Sequence, residues 1–549
     1  MTRVTHLASK PHPHIPLPEA LFGKERLNSA GVDLSNRHTL ANLKIAMEKA
    51  EQQSWLSGPI INGKMLTTST ATPIVSPSHP DRVVGFVTKA TSDDVTHAIE
   101  HACQATSHWA DITVNERALC LERAANLLEK NKSTLFTLLC RESGKQLVDC
   151  VSEVREAIDL CRYYAARARK DLLPVTLTGP TGESNQLSLH PRGVIACISP
   201  WNFPLAIFTG QIAAALATGN TVIAKPAEQT PLIATETVRL LHQAGIPVNA
   251  LQLLPGKGSI IGTQLVADER IAGVIFTGST ETAKFIQQSL ANRKGPIAPL
   301  IAETGGQNAM IVDSSALPEQ VIADVISSAF NSAGQRCSAL RVLFLQEDIA
   351  PCVLTMLKGA MQELTLGDPG LLATDIGPVI DQGALNMLQK HAANMQHDAT
   401  LIYQVPTHNL PNGYFFPPCV FEIKNLNQLE REVFGPILHV IRYAEKDLDN
   451  VLAQISDTGY GLTLGIHSRI DATVNYIKNR LPVGNVYVNR NMIGAVVGVQ
   501  PFGGERLSGT GPKAGGPHYL PRLCVERAIS INTTAAGGNT TLVSLQEDD

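Results

Sequence analysis

Gly193-Val194-Ile195-Ala196-Cys197-Ile198, followed by Leu205 to Ala217 and then Thr221-Val222-Ile223-Ala224, is the stretch from which the fold is read. Two short apolar runs rich in β-branched residues flank an apolar segment of helical length, which spells strand, helix, strand. A third run, Ala272-Gly273-Val274-Ile275-Phe276, leads into Thr277-Gly278-Ser279-Thr280 and a helix from about Glu281. Repetition of this unit implies an α/β, doubly wound parallel sheet. A second alternating series runs from Asn308 to Tyr487. Upstream, apolar residues at helical spacing, such as Ala118, Leu119, Ala125 and Leu128, predict helix from Asp93 to Ala168. The polar stretch Thr178-Gly179-Pro180-Thr181-Gly182-Glu183 separates two strand-like segments and predicts a protruding hairpin. Residues up to about 55 are polar and proline-rich, become helix-like from Leu40 to Trp55, and read as an arm packed on the main body.

The 549 residues, 44% hydrophobic and 17% charged, are too many for one core and call for at least two domains. A formal net charge of -4 offers no basic face for nucleic acid. The longest apolar run, Leu205 to Leu216, is interrupted by Thr209, Gly210 and Gln211, so no membrane span is expected. The N-terminus, with His6, Lys10, His12 and His14, lacks the apolar core of a secretory signal. Ten cysteines show neither a Cys-x-x-Cys pair nor metal-ligand spacing, which fits free thiols in a reducing cytoplasm and no metal.

Chemistry concentrates at two places. Gly334-Gln335-Arg336-Cys337-Ser338 presents a thiol in a glycine-bearing turn, and Glu303-Thr304-Gly305-Gly306 presents a carboxylate. A thiol held as its anion in an electropositive pocket is a nucleophile, and a nearby carboxylate can activate water; together they suggest catalysis through a thioester. Taken alone, each is equally an ordinary loop residue. The two glycines permit a close turn that would let Glu303 move between positions.

Read in order, Ser199-Pro200-Trp201-Asn202-Phe203-Pro204, Lys225-Pro226-Ala227-Glu228, Phe276-Thr277-Gly278-Ser279-Thr280, the two segments just quoted, Glu432-Val433-Phe434-Gly435-Pro436 and Pro501-Phe502-Gly503-Gly504 resemble the aldehyde dehydrogenase superfamily. The resemblance covers about residues 60 to 530. Gly494-Ala495-Val496-Val497-Gly498 and Ser508-Gly509-Thr510-Gly511-Pro512-Lys513-Ala514-Gly515-Gly516 are similar to its glutamate semialdehyde (pyrroline-5-carboxylate) dehydrogenase branch, in particular the dehydrogenase half of bifunctional proline utilisation proteins. No room remains for a proline dehydrogenase barrel, so the chain is expected to be either a single-activity enzyme or part of a bifunctional one.

The resemblance implies an arm over 1–55, an NAD-binding domain over 56–304 with an oligomerisation hairpin near 174–192, a catalytic domain over 305–500, and a return to the first domain with a C-terminal oligomerisation strand and tail over 501–549. It implies Cys337 as nucleophile, Glu303 as general base, and the Asn202 amide with the Cys337 N–H as donors to the developing oxyanion. NAD would lie against Ile198, Pro200, Trp201, Gly278, Ser279 and Thr280, with Lys225 and Glu228 at the adenosine ribose and Glu432 and Phe434 at the nicotinamide ribose and ring. A carboxylate at position 228 favours NAD over NADP. The Gly-x-Gly-x-x-Gly fingerprint is absent, Gly256 to Gly262 having one residue too many. For the substrate, Gly494, Ala495 and Ser338 would hold its carboxylate, Phe203 and Phe502 its aliphatic middle, and Glu153 its ammonium. The expected reaction is NAD-dependent oxidation of L-glutamate γ-semialdehyde to L-glutamate by a homodimer or dimer-based assembly, with a separate proline dehydrogenase as a partner. Oxidation of succinate semialdehyde or betaine aldehyde stays open as an alternative. So do a cysteine hydrolase, although none of the 16 histidines falls in these motifs, and a non-catalytic scaffold.

Overall fold

A computed structural model describes residues 14–407, 410 and 412–536; the first thirteen residues and the tail beyond 536, read above from sequence only, lie outside it. Two seven-stranded sheets carry the architecture. In the first, the order is Leu300–Glu303, Ile271–Thr277, Val194–Ile198, Thr221–Lys225, Leu251–Leu253, Ile60–Ile61 and Lys64–Met65. The first five are parallel and the last two antiparallel. Val194–Ile198 and Thr221–Lys225 are buried along their whole length, as strands covered on both faces must be. The helix Ala206–Ala217 between them is apolar on all sides and almost wholly buried.

Strand order reverses between Val194–Ile198 and Ile271–Thr277. In open parallel sheets the crevice outside the carboxyl ends of strands at such a reversal is where ligands bind. Ser199 to Phe203 and Gly278 to Thr280 follow those two ends directly.

The second sheet orders Thr400–Gln404, Cys419–Glu422, Ile437–Tyr443, Val342–Gln346, Ala309–Val312, Thr463–His467 and Asn485–Val488. All pairings are parallel except the edge pair formed by Thr400–Gln404. The chain leaves the first sheet at Glu303 and enters the second at Ala309, so Glu303 sits at the seam.

The helical region resolves into Ser92–Asp111, Val114–Lys130, Lys132–Glu142 and Leu147–Asp171. Thr91 with Asp94 and Thr113 with Glu116 form capping boxes that start the first two. The hairpin comprises Val175–Leu177 and Glu183–Pro191, and Cys524–Asn532 pairs along Glu183–Pro191 in a third, three-stranded sheet. The helix expected over Leu40 to Trp55 is Arg37–Glu51 instead. Trp55 begins a strand whose backbone pairs with Gly85, and that pairing overrides the helical pattern. Arg26 and Ser29 of the arm are buried against the body, Arg26 donating to Val497 O at 2.8 Å and Ser29 to Asp159.

Candidate active site

Cys337 ends a loop built from three consecutive residues of positive φ, Ser332 (55°), Ala333 (52°) and Gly334 (64°). Such a conformation costs a residue with a Cβ on the order of 1–2 kcal/mol. Side chains from elsewhere offset it. The buried Arg341 donates to Gly334 O at 2.7 Å, Arg336 O at 2.9 Å and Gly435 O at 3.2 Å. Gln335 bonds Ser332 O, Pro378 O and Ile380 N–H. Asp149 accepts from Ser332 Oγ at 2.6 Å and pairs with Arg336 at 2.7 Å. Asn308 donates to Cys337 O at 2.6 Å. Only glycine fits at 334, because a Cβ there would collide with Gly435 O.

The half-buried Cys337 thiol has Glu303, Glu432, Arg341 and Tyr487 as electrostatic neighbours. The expectation of a pocket that favours the thiolate is not met in this state. Burial, reinforced by the carboxylates of Glu432 and Glu303, pushes the thiol up to about 12, and Arg341 with the Ser338 N–H offsets only part of that.

Glu303 turns its Oε2 to the Gly504 N–H at 2.9 Å, and burial raises it to about 8. Its backbone is fixed on both sides: Glu303 O accepts from Gly278 N–H at 3.1 Å, and Thr304 donates through its N–H to Ser508 O and through its hydroxyl to Leu507 O. Gly305 and Gly306 have a different reason from the one read in the sequence. A Cβ on Gly305 would overlap Glu432 Oε2 and one on Gly306 would crowd Asn308 Oδ1, so close approach rather than carboxylate mobility requires them.

Asn202 is buried beside the same loop, its amide donating to Gln335 O at 3.1 Å. Trp201 and Phe434 meet edge to face, ring centroids 5.6 Å apart. Glu432 receives Arg341 at 3.1 Å. At the carboxyl end of Thr221–Lys225, the Lys225 ammonium donates to Pro226 O at 2.8 Å and is lowered by burial to about 8, while exposed Glu228 accepts the Gly258 N–H at 2.9 Å. Ile198 closes its strand next to Pro200. Gly278 offers no free N–H here, since Glu303 O takes it; Ser279 caps the following helix by accepting from Thr282 N–H, and Thr280 donates to Leu507 O at 3.3 Å. The buried hydroxyls of Ser199, just past its strand, and of Thr230, just before the helix Pro231–Gln243, have no hydrogen-bond partner among the described residues. An aromatic pair, a carboxylate, an ammonium and two unspent hydroxyls along one crevice fit a dinucleotide.

Gly494 (φ 95°) accepts the Tyr487 hydroxyl at 3.2 Å, which links it to the neighbourhood of Cys337; Ala495 follows, partly exposed. Ser338 is buried directly after the thiol. Phe502 pairs its backbone with Ala514. Phe203 has Lys145 Nζ 3.7 Å from its ring centroid and the Arg336 guanidinium at 5.2 Å. Glu153 is not free for a ligand ammonium: it is fully buried, pairs with Lys145 at 2.7 Å and accepts the Leu205 and Ala206 N–H groups. Asp149, Lys145, Arg341 and Tyr487 escape the sequence reading, and Lys513 falls in a quoted motif without a role. Arg341 lies four residues after the cysteine, but nothing in spacing marks the others.

The model of the aldehyde dehydrogenase family matches residues 65–529, and the chain belongs to that family. It is 51% identical to the bifunctional protein PutA of Klebsiella aerogenes over 95% of its own length and 39% of that protein's, so it spans about two fifths of the curated relatives of this kind. It is 36% identical to the 1-pyrroline-5-carboxylate dehydrogenase of Geobacillus thermodenitrificans over 86% of the chain and 93% of that protein. Among solved structures, a 1-pyrroline-5-carboxylate dehydrogenase from Thermus with bound NAD superposes with a TM-score of 0.88 at 32% identity, covering 96% of this chain and 100% of that one.

Proposed function

We propose that the chain oxidises L-glutamate γ-semialdehyde, formed from pyrroline-5-carboxylate, to L-glutamate with NAD as acceptor, the second step of proline catabolism. The observation that carries this reading is that Asn202 donates to the braced loop bearing Cys337 while Glu303 is an electrostatic neighbour of the thiol, as is Tyr487, whose hydroxyl donates to Gly494 O. The names of the relatives that match along nearly their full length support it.

In this reading the first sheet is the NAD-binding domain and the second the catalytic domain. Cys337 Sγ gives up its proton to solvent and forms a bond to the aldehyde carbon as the carbonyl π pair moves onto oxygen. The Asn202 amide, which has a second N–H, and the Cys337 N–H meet the negative oxygen; a donor of this kind contributes about 3 kcal/mol to the transition state. Bound NAD, held by Trp201, Lys225, Glu228, Glu432 and Phe434, supplies the two-electron acceptor. The resulting acyl–sulfur bond is cleaved by water whose proton passes to Glu303, releasing the carboxylate product and restoring the thiol. Ser338, Gly494 and Ala495 receive the substrate's own carboxylate, and Phe203 and Phe502 flank its methylenes.

The exposed apolar side chains of Ile529 and Ile531 on Cys524–Asn532 and of Val486 and Val488 on the edge strand Asn485–Val488 support a dimer-based assembly. Ten unpaired cysteines favour a cytoplasmic setting. A proline dehydrogenase, on the same polypeptide or a separate one, is the corresponding supplier of substrate.

Initial rates with pyrroline-5-carboxylate, succinate semialdehyde and betaine aldehyde test the substrate. A preference of at least tenfold for the first is expected, and equal rates would remove the assignment. Crystals soaked with glutamate should place a carboxylate beside Gly494 and Ala495.

A further inference from the structure

Lys513, in the turn Gly511-Pro512-Lys513, has no part in the roles above, yet it faces Glu303. One oxygen of Glu303, Oε2, accepts the Gly504 N–H at 2.9 Å; the other, Oε1, is buried without a hydrogen-bond partner among the described residues. The backbone on which this carboxyl docks is held by Lys513. Its ammonium donates to Gly503 O and, at 3.2 Å, to Asn485 Oδ1. Asn485 completes the brace, accepting Gly503 N–H at 3.2 Å and donating to Pro501 O at 3.0 Å. The groups acting on Glu303 are Lys513, Cys337 and Tyr519, of which Lys513 is the cation; Lys513 also faces Glu505.

We propose that Lys513 is the positioning residue of the general base: it fixes the Gly503-Gly504 backbone that receives Glu303 and supplies the positive charge that allows a carboxylate to exist there. This rests on Glu303 acting as base. Burial drives the carboxyl toward its neutral form, and a neutral carboxyl cannot accept the proton of water. Removing the ammonium takes away the opposing charge, so the basic form would appear only at higher pH.

Decay of the covalent adduct on Cys337, followed by rapid quench and mass spectrometry after a single turnover, reads this step across pH for wild type, Lys513→Met and Lys513→Arg. The limb on which hydrolysis rises with pH should move upward by about one pH unit in Lys513→Met. Lys513→Arg should return it to within half of that shift, and the first-turnover NADH burst of both should stay within about twofold of wild type. A Lys513→Met limb coincident with wild type would overturn the proposal, as would a burst lost in parallel with hydrolysis. Glu303→Gln separates the two levels of the argument. If it retains full turnover, the base assignment itself fails; if it stops at one NADH per site while Lys513→Met keeps the wild-type limb, only the role of Lys513 fails.

Discussion

Arg336 Nη2 lies 2.7 Å from Asp149 Oδ1, joining the residue before the nucleophile to the first turn of a helix far away in sequence. Both side chains are nearly inaccessible to solvent, and the second Asp149 oxygen holds Ser332. Breaking a buried pair by removing one partner costs about 3–5 kcal/mol, because the other charge is left stranded. Asp149→Ala should therefore lower the melting temperature and reduce kcat by tenfold or more. Thermal denaturation with parallel kinetics checks this, and unchanged kcat would show that the brace does not reach the thiol.

The thiol at 337 is held protonated at rest. Its alkylation by iodoacetamide should rise about tenfold per pH unit from pH 7 to 9 without a plateau, since the group ionises near 12. Peptide mapping against Cys337→Ala, which should form no NADH while remaining folded, distinguishes this site from exposed Cys352. A plateau near pH 7 would contradict the electrostatics described.

Glu303→Gln should leave a stoichiometric NADH burst and abolish further turnover. The pH sign is fixed by the raised value. The base is available only as pH climbs through about 8, so acyl-enzyme hydrolysis in wild type increases up to that point. Stability runs the other way. A carboxyl ordinarily near 4.5 and raised to about 8 in the folded state favours folding while protonated, and that contribution is lost as pH rises from about 4.5 to 8. Relative to wild type, the glutamine variant should gain stability across this window in denaturant titrations.

Gly305→Ala places a methyl group where Glu432 Oε2 now sits. Displacing Glu432 from Arg341 should raise the KM for NAD by roughly tenfold, a loss of about 1.4 kcal/mol of binding, with a smaller effect on the aldehyde KM. Equal changes in both would place Glu432 away from the cofactor.

Much of the architecture is legible because the parallel strands are continuous apolar runs, as in Val194 to Ile198, and the intervening helix is predominantly apolar, with only Thr209, Gly210 and Gln211 interrupting it. Trp55 misleads because its helical spacing is genuine but a partner strand at Gly85 claims its backbone. Cys337 and Glu303 are legible as chemical types in glycine-bearing turns. Their supports are not, because Asp149, Lys145 and Tyr487 act across long sequence separations that leave no periodic trace. Glu153 shows the converse: a carboxylate expected to meet a ligand ammonium is consumed by a helix start and a lysine.

The hydrogen bond from Gly278 N–H to Glu303 O rivets the main chain of the base to the turn at the cofactor crevice. Any excursion of the carboxyl toward the acylated sulfur must therefore come from rotation about its own side-chain bonds, while the peptide stays put. Water activation in this protein would then be gated by a three-torsion swing rather than by a loop.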